Sequence, residues 1–187
     1  IKADLNKWQK GALPHGTLQI NNLDIQNGPR GNYSLNQFNA SITSDNTNRQ
    51  TLKIQSDFAD AYIEGNMSLE RIKQSVTDVL NRSLPGLVDK PQLCPPLTAH
   101  DQWLINAKLK DAEALYKLAN IKFTTDGPLH IHGTFAPMGR TSIVAFTNQL
   151  NVSSQAFIRP SIYLSGQGQD YHCLIQTQKA IANSNYR

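Results

Sequence analysis

The 187 residues are enough for one domain with a sizeable core or for two small ones. Mean hydropathy is −0.44, and no stretch approaches the ~20 apolar residues that a membrane helix requires, so a helical membrane span is excluded. Charged residues make up only 17%, with Asn, Gln, Ser and Thr supplying polarity as suits sheets facing water, and the net charge of +4 sits on singly scattered Lys and Arg without interleaved aromatics, which argues against nucleic-acid binding.

Residues 1–11 read as a strand feeding a turn. Period-2 alternation then dominates. Leu18, Ile20, Leu23 and Ile25 form one run, followed by Tyr33 and Leu35 and then by Phe38, Ala40 and Ile42. The phase slips by one residue at Asn21-Asn22 and again between Leu35 and Phe38, which is how a β-bulge looks in sequence. Turn-formers at Asn27-Gly28-Pro29 and Asp45-Asn46-Thr47-Asn48 separate the runs. Leu52, Ile54 and Phe58 start a further strand, which Ala61, Ile63 and Gly65 continue after another slip. The pattern is an antiparallel meander with one apolar face.

Residues 68–84 break the alternation. Leu69, Ile72, Val76, Val79, Leu80 and Leu84 recur at helical spacing, with Ser68 as N-cap, Glu70 in the first turn and Pro85-Gly86 as the stop. The stripe suits packing against the sheet better than lying on lipid, because the basic flank and bulky aromatics of interfacial helices are missing. Four prolines make 85–101 a connection. Alternation resumes at Trp103, Ile105, Ala107 and Leu109. A short helix is expected at about 112–119, with Asp111 as N-cap and Leu115 and Leu118 facing inward. Strands follow at 121–125, 129–135, 142–147, 150–154, 157–164 and 171–178. The chain thus divides into 1–87 (meander plus helix), a Pro-rich connection over 88–101, and 102–187 (a second β segment with a short helix). The two segments are equally compatible with one continuous sheet.

Chemistry is harder to find than structure. There is no GxSxG elbow, phosphate-binding loop or HExxH, and Gly166-Gln167-Gly168 reads as a turn because no third glycine follows at the required offset. His130 and His132 project on one strand face, but Asp126, the nearest carboxylate, lies in a turn. Two solvated strand histidines are therefore the plainer reading, and no metal is assigned. Asp57, Asp60 and Glu64 are the densest acidic group, with no sign of the cleft that a catalytic carboxylate pair needs. No catalytic residue or cofactor is assigned. Asn39, Asn66, Asn81 and Asn151 head N-x-S patterns that arise easily in so Asn- and Ser-rich a chain. Cys94 and Cys173 are too few for a zinc site. They stand either as a disulfide closing a long loop or as two buried thiols.

The stretch QSDFADAYIEGNMSLERIKQSVTDVLNRSLPGL (55–87) resembles a segment that recurs in the TamB proteins of Bacteroidetes-type bacteria, a "SDFADA.I.G" strand followed by an amphipathic helix and Leu-Pro. Asp111 to Ile121 resembles that family's "DAE.L..L.NI" helix, and Pro128 to Phe135 its "P..I.G.F" strand. The upstream GTLQINNLDIQN and GNYSLNQFNASITS are compatible with it. Membership of this AsmA-like superfamily implies a curled, open antiparallel sheet, the β-taco, with an apolar concave face. It also implies a section of a longer protein anchored in the inner membrane and extending through the periplasm. The start at Ile1, without a leader, and the polar tail from Gln176 to Arg187 fit such a section.

The function so implied is phospholipid transport, or assembly and secretion of outer-membrane proteins, without enzymatic activity. Acyl chains or nascent outer-membrane protein strands would be the cargo, and an outer-membrane β-barrel assembly protein a partner of the whole molecule. Residues two apart on a strand share a face, so Ile54, Phe58, Ile105, Leu109, Ile131 and Phe135 are the expected groove residues. The competing reading is a β-sandwich that binds a ligand or carbohydrate, or mediates adhesion. Only Trp8 and Trp103 are available as aromatic platforms for it.

Overall fold

A computed structural model describes residues 2–6, 15–26, 31–45, 49–66, 101–119, 123–167 and 170–182. The expected helix at 68–84, the connection over 88–101 and Cys94 lie outside the described residues. Within them the protein is mainly β and antiparallel. The first strands are β1 (Lys2–Asn6), β2 (His15–Gln26), β3 (Asn32–Ser44), β4 (Gln50–Ser56), β5 (Ala59–Gly65) and β6 (Trp103–Leu109). One helix follows, α1 (Ala112–Ala119), and then β7 (Thr124–Asp126), β8 (Leu129–Phe135), β9 (Arg140–Phe146), β10 (Gln149–Val152), β11 (Gln155–Ile158), β12 (Ser161–Gln167), β13 (Asp170–Gln176) and β14 (Lys179–Ala182).

Ten strands form one open sheet in the order β1-β2-β3-β4-β5-β6-β8-β9-β12-β13. Chain neighbours lie side by side in most of it, because an antiparallel strand needs only a tight turn to return. β5 pairs with β6 from Ala59↔Leu109 to Gly65↔Trp103, so the stretches before and after 67–100 share this sheet.

The remaining four strands, ordered β14-β11-β10-β7, prolong four strands of the large sheet past a transverse break. β9 and β12 pair up to Phe146↔Ser161. After two skipped residues on each strand the same hairpin resumes at Gln149↔Ile158. The breakers are local. Arg159 has φ 48° and is followed by Pro160, which cannot donate to a ladder, while Gly127 has φ 81° and is followed by Pro128. Thr147 N–H donates to the Pro160 carbonyl and Arg159 N–H to the Asn148 carbonyl, so the break stays hydrogen-bonded. The expected strand over 157–164 is accordingly two, β11 and β12.

The predicted slips have two physical origins. On β2 and β3 the ladder joins Asn21↔Gln37 and Leu23↔Leu35 and skips Asn22 and Asn36 together. Both strands change phase at one level, so neither gains a residue on the other as a simple bulge would. Asn22 takes φ 53°, and the Asp57 carboxylate accepts from the N–H groups of Asn36 (2.6 Å) and Gln37 (3.1 Å). The slip read between Phe58 and Ala61 comes from a hairpin turn. The Ser56 hydroxyl donates to the Ala59 carbonyl and accepts from its N–H, and Asp57-Phe58 forms the bend between β4 and β5.

Candidate functional site

Alternation along each strand combines across the ladders into transverse rows, because directly opposed residues point to the same side of a sheet. One row runs from Leu18 on β2 through Ala40, Ile54, Ala61 and Ala107, and continues through Ile131, Ala145 and Ile162 to Ile175 on β13. The adjacent row on the same face runs from Gly16 through Ile42, Leu52, Ile63 and Ile105, then through Gly133, Ile143 and Leu164 to Cys173. Neither row contains a charged, amide or hydroxyl side chain. Most of these side chains are half-buried, while Ile162 is 40% and Ile175 70% exposed.

Both ends of this face are closed. At one end Trp103 and Phe135 are buried as opposed neighbours, with Ile63, Ile105, Ile143 and Tyr171 packed on them. The indole lies over Gly65, where an added Cβ would meet the Trp103 ring and the Gln102 carbonyl. Gly166 stands in the same way beneath the ring of Tyr171. At the other end Ala114 of α1 is fully buried against Tyr33 and Leu35, with Ile20, Leu23, Phe38 and Phe58 around them. The Asp111 carboxylate accepts from Glu113 N–H at 2.9 Å at the start of this helix, and Lys117 pairs with Glu113 at 2.8 Å. Burial, with the Asp111 and Asp57 carboxylates nearby, pushes the Tyr33 phenol up to about 12.

The opposite face is polar over β2–β6 apart from the exposed Leu104, and it carries the charges. Arg49 pairs with Glu64 at 2.8 Å and Lys110 with Asp60 at 2.7 Å, while the Lys53 ammonium lies 5.8 Å from the centre of the Tyr62 ring. The Tyr62 hydroxyl donates to Glu64 at 2.6 Å, a bond that raises its pKa. Lys53, Gln55, Asp60, Tyr62, Asn106 and Lys108 line an open depression of about 340 Å³ on this side.

Of the residues singled out from sequence, Ile54, Ile105, Leu109, Ile131 and Phe135 stand on the apolar face by register. Phe58 belongs to the β4–β5 turn rather than to a strand, so the parity argument does not apply to it. It reaches the same side through stacking on Phe38 at 6.2 Å. His130 and His132 lie on the opposite face; His130 stacks on His132 at 6.0 Å and on Phe146 at 5.1 Å, while His132 sits tilted against Phe146 at 5.9 Å. No group of three or more metal-ligating side chains occurs among the described residues. Asp57 holds the β3 backbone, while Asp60 and Glu64 are engaged in ion pairs. Gly166, expected in a turn, lies within β12.

Sequence reasoning put Ala40, Ala61 and Ala107 in the apolar alternation of their strands but missed Ala145, and it missed the row that all four complete between the isoleucines. The signal for Ala145 is parity alone, since it holds an inward strand position with a side chain too small to mark it. No protein-family model matches the chain, and neither a curated protein nor a solved structure matches it.

Proposed function

We propose that the chain is a periplasmic section of an inner-membrane-anchored, TamB/AsmA-like protein, whose apolar sheet face carries phospholipid acyl chains or nascent outer-membrane protein strands. The observation that carries this reading is the pair of apolar rows uninterrupted across nine strands. An acyl chain gains about 25 cal/mol per Å² of buried apolar area without directional contacts, so such a carrier needs continuity rather than a motif. Curling of the sheet into a trough, an outer-membrane assembly partner and passage along the strands' transverse direction belong to the same proposal. A β-sandwich module is less well supported, because the four-stranded sheet prolongs strands of the large one instead of supplying separate strands for a facing layer.

Photocrosslinking amino acids at Ile54, Ile105 and Ile131, compared with Lys53, Asn106 and His132 on the other face, test the reading in cells. Phospholipid captured only from the first set supports it. Capture from neither set, or equally from both, removes it. Ile105→Asp places a charge in the path, where desolvation without a partner costs several kcal/mol, and passage is expected to stop. The melting temperature of that variant separates blockage from unfolding. His130→Ala/His132→Ala is expected to leave envelope integrity intact. A folded Ile105→Asp protein that still supports the envelope would count against transport.

A further inference from the structure

On the polar face, register sets two rows side by side across β4, β5 and β6. Lys53, Tyr62 and Asn106 form one, and Gln55, Asp60 and Lys108 the other. These six side chains line the open depression of about 340 Å³, at the lower end of the ~300–1,000 Å³ usual for small-molecule sites. The charges in and around it do not balance. Arg49 takes the Glu64 carboxylate and Lys110 takes that of Asp60, while among the described residues Lys53 and Lys108 have no ion pair. The Lys53 ammonium lies instead over the Tyr62 ring, 5.8 Å from its centre.

We propose that this depression binds a sugar phosphate. A phosphate monoester carries a charge of about −2 near neutral pH, which matches the two ammonium groups left unpaired. Lys53 and Lys108 stand on β4 and β6 at diagonal corners of the double row, two strand spacings, or about 10 Å, apart across the sheet. Long flexible stems let both ammonium groups lean onto one group between them, and a phosphate has oxygens enough to accept from both. A bare phosphate would leave the rest of the lining unused. Gln55 and Asn106 offer amide donors and acceptors, and the Asp60 carboxylate, which repels an anion, accepts from hydroxyl groups. The lining therefore suits an anion that also carries hydroxyls. A phospholipid does not meet it, because the apolar rows lie on the other side of the sheet and its acyl chains would have to rest on polar surface. The inference is thus independent of the transport reading.

Isothermal titration calorimetry on the 187-residue chain with glucose 6-phosphate should show one site per chain, and neutral glucose should show none. Inorganic phosphate, which lacks the hydroxyls, and glucuronate, which carries a single charge, should each bind ~10-fold or more weakly than glucose 6-phosphate. Lys53→Gln and Lys108→Gln should each weaken the sugar phosphate ~10-fold or more. Asn106→Ala should weaken it and leave inorganic phosphate unchanged. All three side chains are exposed, so the variants should fold, which far-UV circular dichroism confirms. Absence of binding by glucose 6-phosphate, or binding indifferent to both lysine substitutions, would overturn the inference. So would inorganic phosphate or glucuronate binding as tightly as the sugar phosphate, or Lys53-dependent binding to phosphatidylglycerol vesicles in preference to it.

Discussion

The two ends of the apolar face are closed in different ways. At the Trp103 end the ladder itself provides the cover, since a bulky ring on one strand occupies the space left by a glycine on the next, Trp103 over Gly65 and Tyr171 over Gly166. At the other end a separate element does so, with α1 setting Ala114 on Tyr33 and Leu35. An aromatic over a glycine needs only correct register, whereas a helix needs a cap, a turn and a matching surface. Between the ends, Ile54, Ala61, Ala107 and Ile131 receive neither kind of cover from the described elements and remain half-buried. Among the described residues, the middle of the face is therefore where apolar surface is left.

The largest expected effect separates these mechanisms at the Trp103 end. Trp103→Ala removes the bulkiest fully buried side chain among the described residues and opens a cavity above Gly65, with an expected loss of about 3–5 kcal/mol in urea unfolding. Gly65→Val attacks the same contact from below, because its side chain has no room beneath the indole. If Trp103→Ala costs less than Ala107→Gly in the middle row, the ladder is not what closes this end.

A second, smaller contrast depends on pH. The Tyr33 phenol is held up to about 12, first by burial and then by Asp111 and Asp57, while the unfolded chain titrates near 10. The folded state thus favours the protonated phenol. Its stabilising share is complete below pH 10 and is lost as pH rises from 10 through 12, by about 3 kcal/mol at most. Unfolding measured from pH 9 to 12 should fall with this slope, and Tyr33→Phe should flatten it. An unchanged alkaline slope in Tyr33→Phe would assign the effect to other groups.

How much of this was legible in the sequence depended on range. The strand positions of Ile54, Ile105 and Ile131 follow from alternation, which is a property of neighbours along the chain. Which residue stands opposite them does not follow, because register is fixed between segments far apart in sequence. The row through Ala61 and Ala107 was therefore invisible even though each strand was not. Phe58 was misplaced because Ser56-Asp57-Phe58-Ala59 turns without glycine, proline or asparagine. The turn is held instead by the Ser56 hydroxyl and by an Asp57 carboxylate that reaches β3, twenty residues away. The break at Arg159-Pro160 has a sequence signal in the proline, which cannot donate to a ladder, but the expected strand over 157–164 runs straight across it.

The smallest expected effect concerns how α1 is held in place. Asp111 accepts from Glu113 N–H, and its carboxylate also raises the Tyr33 pKa, so it couples the helix start to the surface on which the helix packs. Asp111→Ala removes the cap, which alone is worth about 1 kcal/mol. It also withdraws a negative charge that raises the Tyr33 pKa, so the alkaline slope of Asp111→Ala should begin to level off below pH 12. Asp111→Asn keeps a capping oxygen and loses the charge. It should recover most of the stability while leaving the titration lowered. Amide exchange should then speed up in α1 and stay unchanged in the β5–β6 ladder around Gly65 and Trp103, because that end does not lean on the helix. Faster exchange in both places after Asp111→Ala would mean that the two ends of the face unfold as one unit, and that the distinction between ladder and helix is one of geometry rather than of stability.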